Sequence, residues 1–297
     1  MALRGPEQRP RGGSPMIWSV RAAAREQAGA RAPGASACGA VAVENVLRAL
    51  GLGASADAVE RAVRTRLREL HAPLPRYLMS RSVAGATHEQ LLEGADGASE
   101  GRVTGRFFSF YPERAVDLTS WLAGWIRKGA VPVATMNMQV AVPEGEEIPD
   151  AWHHQMIFGV GAEGIYMTNP LELVSSHIVK QHLCSASLLL IRQQDVLARL
   201  PSDAEQSVLT ELRDHLPWRQ LDVAGQVARI IAGNTDGLGS PHLVIPAAYK
   251  SGITLFVLRH SEVASELFSA AELPLSADGD NQSLNNRENR GLDSGGN

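Results

Sequence analysis

The sequence predicts an α+β protein in which N-terminal helices pack on an antiparallel sheet, with a C-terminal helix-hairpin extension. Three observations lead there. Apolar residues recur at helical spacing up to about residue 129. From Val131 onward they fall instead into short runs bounded by turn residues. Two of those runs are joined by Gly161-Ala162-Glu163-Gly164, far too short for the crossover a parallel pair needs. Helices first and antiparallel strands after them make segregated layers rather than a βαβ array.

The elements follow in order. A helix is expected from Cys38 to Leu50, where Val43, Val46, Leu47 and Leu50 share a face and Gly51 stops the run. A second is expected over Ala56–Leu70 behind a Ser55 cap, with Arg61, Arg64, Arg66 and Arg68 on a solvated face. Thr87-His88-Glu89-Gln90 has the form of a capping box that opens a third through Leu91 and Leu92. A fourth begins near Asp117, buries Leu118, Leu122, Trp125 and Ile126, and ends at Gly129. Strands are expected at Val131–Val140, Gln155–Val160, Ile165–Thr168 and Ser187–Arg192, with an acidic loop, Glu144 to Asp150, before the second. The last third reads as a helical region over Ala204–Ile231 interrupted at Pro217, then a hairpin of Leu243–Ile245 and Ile253–Leu258. That hairpin either extends the same sheet or forms a small appended lobe. The domain reading is therefore a disordered leader at 1–15, a main domain at 16–200, an extension at 201–276 that either stands apart or belongs to the same domain, and a disordered tail at 277–297.

Composition narrows the function. A chain of 297 residues with 44% hydrophobic and 20% charged residues is that of a globular protein with a sizeable core. A net charge of -4 gives no electrostatic reason to expect nucleic acid as partner. No apolar run approaches a membrane span, and the Arg-, Gly- and Pro-rich start has no apolar segment of a secretory signal. Two cysteines, Cys38 and Cys184, are too few for a disulfide framework, so a reducing, cytoplasmic setting is expected.

The candidate chemistry lies in two segments. Ala35-Ser36-Ala37-Cys38-Gly39-Ala40 puts a thiol at the start of a helix among small residues. The partial positive charge of a helix N-terminus favours a thiolate, and the free N–H groups there suit an oxyanion. His153-His154 opens a strand, and Asn169 closes the next one before Pro170. Taken singly, a Cys in an Ala-rich helix is most often a small buried hydrophobe and a strand His a packing residue. Together they have the order of a nucleophile, a base and the group that orients the base.

With these residues the chain resembles the papain-like cysteine peptidase fold, and within it the double-glycine (bacteriocin-processing) peptidase-like domains. The matching features are Cys38-Gly39 opening a helix, the Val131-Pro132-Val133 strand after Gly129, His153 through Gly159, and Tyr166 through Pro170. The likeness covers about residues 30–192. It implies a thiol hydrolase of peptide or isopeptide bonds, with Cys38 as nucleophile, His153 as general base, and the Asn169 side chain accepting a hydrogen bond from the imidazole. It implies no cofactor and no metal, and a protein or peptide as substrate partner.

The family spacing, six residues from His to the strand Gly and sixteen to the Asn, selects His153. Strand pairing leaves His154 open: a two-residue turn at Ala162-Glu163 would put Asn169 on the face of His154, and a longer loop or a bulge would return it to His153. The family's oxyanion Gln, about six residues before the Cys, is Ala32 here. Gln27 or Ser36 would have to substitute, or the chain is a weak or inactive binding module. Acyl transfer on the same thiol is a further alternative. Thr135, Asn137 and Gln139 are candidates to line the cleft, and Trp152 to shield the imidazole. Cys184 and His177 with Cys38, His153 and His154 lack the spacing of a zinc site, and Ser240-Pro241-His242 lacks the setting of a serine nucleophile.

Overall fold

The computed structural model describes residues 37–140, 142, 146–149, 152–200, 216–236 and 241–276. The expected leader at 1–15, the tail from 277, Gln27, Ala32 and Ser36 lie outside the described residues. Helix α1 (Cys38–Ala49) is followed by α2 (Ala56–Val63), α3 (Leu74–Val83) and α4 (His88–Ala98). Strand β1 (Val103–Ser109), helix α5 (Leu118–Lys128), β2 (Val131–Asn137), β3 (Trp152–Gly161), β4 (Gly164–Met167) and β5 (Glu172–Val174) come next. The chain continues through α6 (Ser176–Leu183), β6 (Leu188–Arg192), α7 (Gln193–Leu197), α8 (Leu216–Gln220) and α9 (Val223–Asp236). It ends with β7 (His242–Pro246), β8 (Gly252–Leu258) and α10 (Glu262–Ser269). This is an α+β arrangement of helices on an antiparallel sheet.

The punctuation residues act largely as expected. Thr87 and Gln90 form the capping box of α4 in both directions. Asp117 caps α5 by accepting from the Ser120 N–H, and Gly129 closes it at φ 97°. Helix α2 is shorter than its apolar spacing implied. Arg64 turns to φ 54°, and Arg66 then exchanges two backbone hydrogen bonds with Gly85 instead of continuing the helix. The break expected at Pro217 also moves: Pro217 sits inside the first turn of α8, where a missing N–H costs nothing, and the chain turns at Asp222, φ 48°.

Six strands form one sheet in the order β1-β8-β2-β3-β4-β5, every neighbouring pair antiparallel. The C-terminal hairpin expected from sequence does not form. Strand β8 enters the main sheet between β1 and β2, while β7 pairs with β6 in a separate two-stranded sheet. Leu243–Ile245 therefore belongs to an appended lobe and Ile253–Leu258 to the main sheet.

Three apolar clusters hold these layers. On one face of the sheet α1, α2 and α4 bury Val43, Val46, Leu47, Val59 and Leu91 against Val133, Met156 and Phe158. On the other face Leu122, Ile126, Val179 and Leu267 cover Met136, Ile157 and Ile165. The third cluster joins the β6-β7 lobe to α3 and to Trp152 and Tyr249. Among the described residues no helix is long and apolar enough to cross a membrane.

Candidate active site

Strand β4 ends early, and the site occupies the gap it leaves beside β3. The Thr168 N–H still donates to the Met156 carbonyl at 3.0 Å, so even-numbered residues of β3 direct their backbone groups toward this edge. Two residues earlier, the His154 N–H points into the gap with no strand to receive it. The N-terminus of α1 fills that place. Asn45 Nδ2 ties the helix to Thr168 Oγ1 at 3.2 Å, and the His154 N–H donates to the Cys38 sulfur. Close approach requires Gly39: a Cβ there would lie 2.9 Å from Ala86 Cβ and 3.1 Å from Leu91 Cδ2.

Cys38, half-buried as the first residue of α1, is paired with the His153 side chain. The other imidazole nitrogen, Nε2, lies 2.6 Å from the backbone carbonyl oxygen of Asn169. A carbonyl only accepts, so Nε2 carries the proton and Nδ1 is the nitrogen that faces the sulfur. Burial pushes the Cys38 thiol up, but the His153 hydrogen bond and charge, with the N–H groups of His154 and Gly39, outweigh it and hold the thiol below its ordinary value. Burial pushes His153 down; the Cys38 hydrogen bond and charge, the Asn169 carbonyl and the Glu172 carboxylate reverse this and raise it. Both shifts favour a thiolate–imidazolium pair. Cys184 is the contrast: burial, then the Glu113 carboxylate, push its thiol up.

Two sequence expectations are corrected here. The Asn169 side chain does not orient the imidazole. Its peptide carbonyl does so, from a residue at φ 62° that Asn tolerates, and Nδ2 is buried without a partner among the described residues. His154, the alternative base, is turned away. Its Nε2 lies 2.7 Å from the Ala86 carbonyl and its Nδ1 3.1 Å from Thr135 Oγ1. Burial lowers it to about 4, so it is neutral, donating from Nε2 and accepting at Nδ1.

The register explains the choice between the two. The turn is the tight one, with Gly161 opposite Gly164, but a bulge follows: Gly159 pairs with Tyr166 and Ile157 with Met167. The one-residue shift moves Asn169 from the face of His154 to that of His153.

The polar residues of β2 and its end are internal fasteners and do not line a cleft. Thr135 engages His154, Asn137 Nδ2 donates to Ser185 Oγ at 2.8 Å, and Gln139 binds Pro149 and both backbone groups of Leu190. Trp152 stacks on Tyr249 and donates to the Leu188 carbonyl, placing it in the lobe core. Among the described residues no group of three or more His, Cys, Asp or Glu side chains could hold a metal ion. Gln155, on the face of His153, donates to Glu172 at 2.6 Å. Sequence reasoning missed Glu172, whose carboxylate raises His153; its place in a three-residue strand gave no pattern to read.

Comparison with known proteins adds a resemblance. Half of this chain, 50%, aligns with 83% of a provisionally assigned C39-like peptidase from Bacillus anthracis, at 14% identity and a TM-score of 0.34. No family model and no curated protein matches the sequence.

Proposed function

We propose that the chain is a thiol hydrolase of peptide or isopeptide bonds, built on a papain-like plan, with Cys38 as nucleophile and His153 as its base and acid. The observation that carries this reading is the pairing of Cys38 with the His153 imidazole at the N-terminus of α1, which lowers the thiol and raises the imidazole, with the far side of the ring held by the Asn169 carbonyl. The thiolate attacks the substrate carbonyl, and the Cys38 N–H, without a partner among the described residues, is offered to the developing oxyanion. The imidazolium gives its Nδ1 proton to the leaving amine, and the acyl group is left on sulfur. Neutral His153 then takes a proton from the attacking water, which releases the acid and restores the pair. An imidazolium held by a neutral carbonyl gains less than one facing a carboxylate, and Glu172 supplies part of the difference from a distance.

The test is alkylation of the native protein with iodoacetamide across pH. Cys38 is expected to react well below the pH at which Cys184 does, Cys38→Ala to abolish that phase, and His153→Ala to return Cys38 to ordinary thiol behaviour. Equal reactivity of the two cysteines, unaffected by His153→Ala, would falsify the reading. Fast alkylation without turnover of any peptide would mark a binding module that keeps the pair.

A further inference from the structure

A tetrahedral adduct on Cys38 needs more than one donor for its oxyanion, and Ala32 cannot supply the amide that a Gln would. Trp152 and His154 share one face of β3 and His153 takes the other, so the flank of Cys38 away from its base is the side on which Tyr249 stands. Tyr249 arrives there from the connection between β7 and β8. Its ring stacks on Trp152 with centroids 5.9 Å apart and planes at 17°, and leans on the His154 ring at 6.1 Å. Its hydroxyl presses on Gly85, where a Cβ would fall 2.3 Å from the oxygen.

The next residue, Ala86, carries the contact onward. Its Cβ packs against Gly39, and its carbonyl holds His154. The Tyr249 hydroxyl is thus set on the same short wall that seats the N-terminus of α1. No hydrogen bond within the described residues uses it. Burial, then the charge of Cys38, push the phenol well above its ordinary value against the pull of Arg68, Arg66 and Arg81. The hydroxyl therefore keeps its proton and is available as a donor.

We propose that the Tyr249 hydroxyl is the second oxyanion donor of this site, acting with the Cys38 N–H in place of the side-chain amide missing at position 32. The inference rests on Cys38 being the nucleophile. As sulfur bonds to the carbonyl carbon, the π pair moves onto oxygen, where the phenol O–H and the Cys38 N–H receive it. When the pair returns to re-form C=O, the leaving group departs with the electrons of its own bond to carbon.

Two reactions of Cys38 separate this role from that of the thiolate. Iodoacetamide alkylates by direct displacement and forms no oxyanion; 4-nitrophenyl acetate acylates through one and releases 4-nitrophenolate. Tyr249→Phe in the full chain keeps the stack on Trp152. It is expected to slow acylation by about 100-fold, the usual cost of one such donor, with alkylation of Cys38 unchanged. Acylation within about threefold of wild type, with alkylation also unchanged, overturns the proposal, because one lost donor costs far more than that. A parallel fall of both rates overturns it too, by showing that Tyr249 merely holds the wall in place. Should wild-type Cys38 alkylate no faster than Cys184, the nucleophile reading itself has failed, whatever Tyr249→Phe does.

Discussion

At Asn169 the group that holds the imidazole is a peptide carbonyl, so what the position needs is a backbone conformation, φ 62°, rather than an amide. Asn169→Gly keeps that conformation at no steric cost and removes an Nδ2 that has no partner among the described residues. It is expected to leave the Cys38 alkylation rate near wild type. Asn169→Val, β-branched and costing about 1–2 kcal/mol or more at positive φ, is expected to slow it toward the His153→Ala level. A Gly variant as slow as His153→Ala would restore a role for the side chain. His154 gives a second prediction at this scale. The folded protein holds it neutral down to about 4, from an ordinary 6.5. Between those values the unfolded chain binds the extra proton and the folded one does not. Stability is therefore lost as pH falls through this window, by about 3 kcal/mol. Urea denaturation at pH 7 and near pH 4 should show the loss. His154→Gln, whose amide can donate to Ala86 and accept from Thr135, should be weaker at pH 7 and flatter with pH; a slope matching wild type would show that His154 is not its source.

Among the elements, α1 and β3 make the site jointly, and each was legible in part. The apolar spacing after Cys38 and the stop at Gly51 locate the helix closely. What they do not reveal is that Gly39 is the contact point, since Ala86 and Leu91 reach it through tertiary packing. Gly39→Ala is a favourable change for an isolated helix by about 0.8–1.0 kcal/mol. Here the added Cβ would lie 2.9 Å from Ala86 Cβ, and overpacking of this kind costs about 1–3 kcal/mol. The variant is expected to be less stable in urea and to alkylate more slowly at Cys38, because the helix start must shift away from the His154 N–H. A stabilised variant with unchanged reactivity would mean that the wall yields easily. In β3 the turn was readable from Gly161 and Gly164, but the bulge between Ile157 and Gly159 has no local signature beyond a glycine. The family spacing selected His153 without it; strand pairing left His154 open and needed the bulge to return to His153.

Over the whole molecule, the one connection that local pattern could not supply is the path of the chain after Pro246. Leu243–Ile245 and Ile253–Leu258 look like the arms of one hairpin because they are close in sequence, both apolar, and separated by turn residues. Their partners lie far away: β8 pairs with β1 and β2, and β7 with β6. The reason is burial. β8 is buried at consecutive positions, with Ile253, Thr254, Leu255 and Phe256 at 0% exposure and Val257 at 1%, as fits a strand covered on both faces. β7 alternates buried and half-buried residues, as fits a strand covered on one. A boundary near residue 200, natural from the sequence, therefore cuts the main sheet rather than trimming an appendage. A chain ending there loses the strand between β1 and β2, so β1 has no neighbour and β2 presents a bare edge. With β8 alone it loses four buried apolar side chains of the core, worth about 1.5–3 kcal/mol each. That sum is comparable with the whole stability of a domain, about 5–15 kcal/mol. The 1–200 fragment is expected to show no cooperative thermal transition by circular dichroism and no accelerated alkylation of Cys38. The full chain should show both. A fragment that melts cooperatively and keeps a reactive Cys38 would mean that β1 and β2 can close the sheet without β8, and that the C-terminal third is dispensable to the site after all.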